Sequence, residues 1–133
     1  QVAILNEISL WMFINREAFE QVVPHQPIRE DNLWFLMGDG GKTAYVFILE
    51  DSWKYGERKK FLIKSFKAGD KTQISVLGHN GKVLEYQIDV DPSPLFRNTD
   101  GGLEIDVMRA QRIYNDKKWN NPLVVKLEEI EIR

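Results

Sequence analysis

Apolar residues in the opening stretch "QVAILNEISLWMFI" recur with a helical period. Ile4, Ile8 and Trp11 fall at i, i+4 and i+7, and Leu5 and Met12 flank that line. The pattern predicts one short amphipathic helix ending near Asn15, a residue that tolerates the left-handed backbone of a helix terminus. Glu7 and Ser9 are expected on the opposite side. A helix of about a dozen residues is marginal in water, so Ile4, Ile8 and Trp11 are expected to fold back onto the rest of the chain. From Arg16 the period changes. Strands are read near 16–20, 31–37, 42–50, 58–66, 72–77, 82–88, 102–109 and 122–132. Turn signals separate them: "GDGG" at 38–41, "HNGK" at 79–82, "DPSP" at 91–94 and "NTDGG" at 98–102. Asn80-Gly81 is the strongest hairpin signal, because both central residues of a type I′ turn need positive φ. Short strands punctuated in this way predict a mainly β fold: an antiparallel two-sheet β-sandwich of about eight strands behind one N-terminal helix.

The predicted strands differ in character. "LEIDV" (103–107) and "QISV" (73–76) alternate, so each has one wet face. "LWFLM" (33–37) and "AYVFIL" (44–49) are apolar throughout and need cover on both faces. The GDGG turn joins these two, which predicts that they pair. One face would meet the second sheet, and the opening helix is one candidate to cover the other. Trp34 and Tyr45 are expected in the core. In "LVVKLEEIEIR" the apolar phase switches after Leu127, which predicts a bulge near Glu128-Glu129.

Composition removes several function classes. The 133 residues contain no Cys, so disulfides, thiolate metal sites and a Cys nucleophile are excluded. Lys and Arg total 18 against 20 Asp and Glu, interspersed, so no basic face for nucleic acid emerges. Apolar runs fall far short of the ~20 residues of a membrane span. No signal-peptide pattern is visible, and Gln1 in first position reads as a processed piece, with any signal lying upstream. His25 and His79 lack metal-ligand spacing, and the acids at Asp89, Asp91 and Asp100 match no EF-hand loop. The acid pairs Glu50/Asp51 and Glu128/Glu129 sit at predicted strand ends, where acids are solvated. No phosphate loop, dinucleotide fingerprint or nucleophile elbow is present, so no cofactor and no metal is expected. Trp11 lies on the helical stripe. Trp53 and Trp119 fall in polar loops and are the tryptophans to weigh as contacts, although packing under a loop is the favoured role for both.

The order of segments resembles a known family. "EISLWMFINREAFE" is similar to the "EIGEWLKVNGEAIY" segment of α-L-fucosidases of glycoside hydrolase family 29. "NLWFLMGDGGKTAYVFILE" resembles that family's strand–hairpin–strand, and "KKFLIKSFKAGDKTQISVLGHNGKVLEYQ" its "LVIKSL…ISVELLGSDGKLEW" stretch. "MRAQRIYNDKKWNNPLVVKLEEIEI" resembles its "MRAQR…W-PNPVVLKI" ending. Arg16 stands where the family usually has Gly, Glu20 where it often has Tyr, and "QVVPHQP" replaces its Gly-Thr-Arg-Pro-Trp. The resemblance implies that residues 1–15 are the end of a catalytic (β/α)-barrel and its linker, and that 16–133 form the C-terminal β-sandwich domain. It further implies a retaining parent enzyme that removes terminal α-L-fucose, whose Asp nucleophile and carboxylic acid lie in the barrel, with no catalytic residue on this sequence. A periplasmic or secreted location is implied, with the barrel as partner and a fucosylated glycan as a further possible one. The expected role is a non-catalytic accessory domain that stabilises the barrel. The alternatives are an independent carbohydrate-binding module using Trp53 or Trp119, and a purely structural interaction domain. Within 108–122, Arg109, Arg112, Tyr114 and Trp119 are the expected contacts. They would form a clamp onto the barrel or, alternatively, a distal glycan subsite on Trp119.

Overall fold

The computed structural model describes residues 2–78, 91–110 and 121–133. Among the described residues, helix α1 (Val2–Asn15) and a 3-10 turn (Arg16–Phe19) precede eight strands. These are β1 (Val23–Glu30), β2 (Leu33–Met37), β3 (Ala44–Ile48), β4 (Arg58–Ile63), β5 (Phe66–Val76), β6 (Leu95–Thr99), β7 (Gly102–Met108) and β8 (Leu123–Ile132). Every pairing is antiparallel. One sheet has the order β1-β2-β3-β8-β5 and the other β4-β7-β6. The mainly β, two-sheet architecture behind one N-terminal helix is thus the one the periodicity predicts.

The core lies between the sheets. Phe35, Val46, Ile48, Val125 and Leu127 of the larger sheet meet Ile63, Leu103 and Ile105 of the smaller one, all fully buried. Phe35 packs edge-on against Phe66, ring centroids 5.2 Å apart. Burying side chains of this size is worth about 1.5–3 kcal/mol each. The LWFLM and AYVFI strands pair as expected, Phe35 opposite Val46. The last strand in sequence, β8, sits between β3 and β5, which explains its unbroken apolar start. A register irregularity falls at the expected place, but its extra residues lie on β5, opposite Glu129 alone. Ala68 faces Ile130 and Gln73 faces Glu128, with Glu129 at φ 56°. Thr72 Oγ1 donates to the Glu129 carbonyl at 2.7 Å and accepts from Gly69 N at 2.8 Å, holding the irregular stretch.

Several expectations are corrected. Residues 16–20 do not form a strand; Arg16–Phe19 is a 3-10 turn continuing α1. Strand β1 arises from the "VPHQPIRE" stretch, which lies outside the expected strands. Proline cannot donate to a ladder and is confined to edges or irregular pairings. β1 is an edge strand, and its register slips between Pro24 and Arg29. Strand β6 also lies where a connection was expected. The strand expected at 72–77 begins as early as Phe66. Residues 82–88, and the Asn80-Gly81 hairpin before them, lie outside the described residues.

The helical stripe is rotated from the expected one. Trp11 and Ala18 are buried and Ile8 is half-buried, but Ile4 is exposed. Glu7, expected on the wet side, is only 6 % exposed. The reason is that the helix is apolar on nearly every side, so periodicity does not fix which arc faces inward. Trp34 is likewise not core. It stands 37 % exposed on the outer face of β2, because an apolar edge-side strand here is covered fully on one face only.

Candidate functional site

Helix α1 and the 3-10 turn lie against the outer face of the larger sheet. Phe19 stands edge-on between Trp11, 5.9 Å away, and Phe47, 5.4 Å away. Polar bonds complete the seat. Trp11 Nε1 donates to the Pro122 carbonyl at 2.6 Å. One turn earlier, Glu7 Oε1 accepts from Asn121 Nδ2 at 2.7 Å. Asn15 Nδ2 donates to the Trp11 carbonyl at 3.0 Å. The helix therefore grips two consecutive residues, Asn121 and Pro122, at the entrance to β8.

The outward side of α1 carries no charged residue. Leu5 is 63 % exposed and Phe13 67 %, and Val2, Leu10 and Met12 are exposed beside them. The Arg16 guanidinium lies 5.4 Å from the centre of the Phe13 ring at one margin. Asn6 and Ser9 are exposed among these apolar side chains.

Of the residues expected to make contacts, Trp53 and Arg109 are brought together but turned inward. Trp53 is buried against Phe61, centroids 5.3 Å apart, and its Nε1 donates to the Glu57 carbonyl at 2.6 Å. It packs beneath the 53–57 turn, the role favoured for it from the sequence, and offers no exposed platform. Arg109 is buried too, its guanidinium 5.4 Å from the Trp53 ring centre and its Nη2 donating to the Asn121 carbonyl at 2.8 Å. Backbone bonds between Arg109 and both Gly56 and Glu57 fix it to the same turn. As a direct clamp onto another domain Arg109 is corrected as well, because its side chain is spent inside this fold. Arg112, Tyr114 and Trp119 lie outside the described residues. Asp89 and His79 do too.

A second polar feature lies between the 3-10 turn and the sheet. It is an open groove of about 310 Å³ lined by Glu17, Glu20, Thr43, Tyr45, Lys126 and Glu128. Glu17 Oε2 accepts from the Tyr45 hydroxyl at 2.8 Å and pairs with Lys126 Nζ at 2.9 Å. Burial works to raise the Glu17 pKa, but its bonds to Lys126 and Tyr45 outweigh that and hold it below the ordinary 4.5. Burial first, and the neighbouring Glu17 next, push the Tyr45 phenol well above its ordinary 10.0. The Lys126 ammonium is held above 10.5, chiefly by its bond to Glu17. A carboxyl kept ionised in this way makes a poor proton donor at neutral pH. The arrangement ties the turn to β3 and β8.

Glu50, one of the acids at a predicted strand end, is engaged locally. It accepts from Ser52 Oγ at 3.0 Å and Asn32 Nδ2 at 3.2 Å. The exposed Trp34 has the Arg29 guanidinium 5.2 Å from its ring centre. Among the described residues no group of three or more His, Asp or Glu is placed to hold a metal ion, and no helix is long and apolar enough to cross a membrane. No protein-family model matches the chain, and no curated protein matches it. Sequence reasoning missed Glu7 and Asn121. The signal for Glu7 was its spacing: Glu7, Trp11 and Asn15 fall at i, i+4 and i+8 on one face.

Proposed function

We propose that the chain is a non-catalytic accessory β-sandwich domain of an α-L-fucosidase-like glycoside hydrolase, and that it docks through the outer face of α1 onto a catalytic (β/α)-barrel. The observation that carries this reading is the charge-free, apolar outer side of α1, in which Leu5 and Phe13 stand mostly in water. An interface of that character fits a stably attached apolar partner better than a transient polar one. It also disfavours attachment to an anionic membrane surface, which calls for a basic polar face, because α1 contains no Lys or Arg. The series of resembling segments supplies the identity of the partner. The carbohydrate-module alternative loses Trp53 as a platform, since that ring is buried, and the ring of Trp34 is attended by Arg29.

The test is reconstitution in trans. A family 29 α-L-fucosidase barrel stripped of its own sandwich domain is titrated with this chain, and complex formation and barrel melting temperature are measured. Association that stabilises the barrel, and that is lost with Leu5→Lys plus Phe13→Glu, supports the proposal. Absence of association overturns it. Binding of fucosylated oligosaccharides to the isolated chain in calorimetry would favour the carbohydrate module instead. The chain alone is expected to leave an aryl α-L-fucoside unhydrolysed.

A further inference from the structure

Helix α1 is seated with its one ionisable residue inward and much of its aliphatic surface outward. At about 100° per residue, Ile4, Ile8, Leu5 and Met12 form an aliphatic arc centred roughly 70° to one side of Trp11. Glu7 lies on the other side of Trp11. A roll of α1 by about that angle would bury the arc and return Glu7 to water. Burial of the aliphatic arc favours the rolled seat, and the packing of Trp11 favours the observed one. The observed seat instead keeps a carboxyl 6 % exposed. Its Oε2 meets no hydrogen-bond partner among the described residues, and burying such an atom costs free energy.

What opposes the roll is a pair of hydrogen bonds one turn apart, from Asn121 to Glu7 and from Trp11 to Pro122. Both catch the chain where it enters the interior strand β8, and the Asn121 carbonyl is itself held by buried Arg109. The catch is therefore on a rigid element. We propose that Glu7 and Asn121 form a rotational lock, which fixes the roll of α1 so that its aliphatic side is presented outward as a docking face. Buried polar pairs are best attested in this role of fixing register at some expense of stability. Trp11 contributes packing as well as its bond, whereas Glu7 has only its bond, so Glu7 is the positioning residue to test. The purpose of the lock rests on the docking reading above. The lock itself is a property of this chain alone.

The absence of cysteine from the sequence makes thiol labelling a direct readout. Leu5→Cys is introduced into the parent chain, and separately together with Glu7→Leu and with Glu7→Gln. In the parent the introduced thiol is expected to react at close to the rate of an unstructured peptide. With Glu7→Leu the helix rolls and labelling slows by about ten-fold or more, as protection by native packing does, while binding of a hydrophobic dye falls. Glu7→Gln keeps an acceptor for Asn121 Nδ2 and should preserve the parental rate. Equal labelling rates in all three chains would overturn the lock, leaving Trp11 and Ala18 packing as what sets the seat. Loss of the sandwich fold in the Glu7→Leu chain would also count against it, because a rolled helix leaves both sheets intact. Slowed labelling without any barrel association would keep the lock and discard its assigned purpose.

Discussion

Gly102 and Glu17 show what single residues carry in this fold. Gly102 opens β7 at φ 149°, and a Cβ there would stand 2.4 Å from the Ile63 carbonyl oxygen. That oxygen belongs to backbone, which cannot step aside as a flexible side chain could. Gly102→Ala should therefore destabilise the domain by about 2–3 kcal/mol through strain at a special backbone position, read as a lower urea midpoint with an unchanged slope. A cost under half a kilocalorie would mean that the β6–β7 hairpin relaxes freely. Glu17 gives a pH signature. Its folded pKa lies below the ordinary 4.5, so its contribution is present above that value and is lost as pH falls through the folded pKa. Lys126 has the opposite sign: held above 10.5, it contributes fully below that value and loses its contribution as pH rises through the folded pKa. Stability from this pair should thus be flat between them and fall at both ends. Glu17 is 46 % exposed, so screening limits the pair to about 1 kcal/mol or less. Comparing melting temperatures of the parent and Glu17→Gln from pH 3 to 8 checks it: the two curves should converge at acid pH and separate above it.

At the scale of elements, α1 is the piece whose worth to the sandwich can be isolated. Its Trp11 packs on Phe19 of the 3-10 turn, which in turn meets Phe47 on the outer face of β3, and α1 is held by two polar bonds at the start of β8. Deleting residues 1–15 should lower Tm by about 10 °C, given roughly 3 kcal/mol for the Trp11 burial and a few degrees per kilocalorie in a domain of this size. Trp11→Phe, which keeps most of the apolar contact but drops the bond to Pro122, should fall between the two. An unchanged melt on deletion would make α1 a passenger. Existence of the elements was legible in the sequence where period and turn chemistry agreed. The β2–β3 pair, the alternating β7 and the phase switch of β8 at Glu129 are of that kind. What was not legible has physical reasons. Strand β1 hides behind Pro24 and Pro27, which its edge position tolerates. The roll of α1 was invisible because apolar residues surround it. Its orientation depends on a bond between Glu7 and Asn121, 114 positions apart in the chain, which local periodicity cannot register. Trp53 and Arg109 looked like loop contacts because their sequence neighbours are polar, yet the backbone bonds joining Arg109 to Gly56 and Glu57 draw both side chains under the turn.

For the molecule as a whole, the two sheets and the outer helix divide the apolar surface unevenly. The sheets close on each other with the core residues fully buried. Even their seam is tied: Asn98 of β6 exchanges two hydrogen bonds with the Ala68 backbone of β5, at 2.8 and 2.9 Å. The Glu30 carboxyl accepts from the backbone of Lys64 and Ser65 where the chain passes between sheets. The outer side of α1 has no such closure. A molecule with a net charge of −2 has little self-repulsion to keep that face apart from a second copy. The isolated chain should therefore associate in a concentration-dependent way and bind hydrophobic dyes while remaining fully folded. Leu5→Lys together with Phe13→Glu should suppress both behaviours. Because those side chains touch water more than protein, the pair should move stability by no more than about 0.5 kcal/mol each, as surface substitutions do. Sedimentation velocity across a hundred-fold concentration range, run beside thermal melts, separates the possibilities. Monodisperse behaviour of the parent would show that the aliphatic face is too small or too interrupted by Asn6 and Ser9 to drive association. A large loss of stability in the substituted chain would show that Leu5 and Phe13 hold the sandwich together instead of serving a partner.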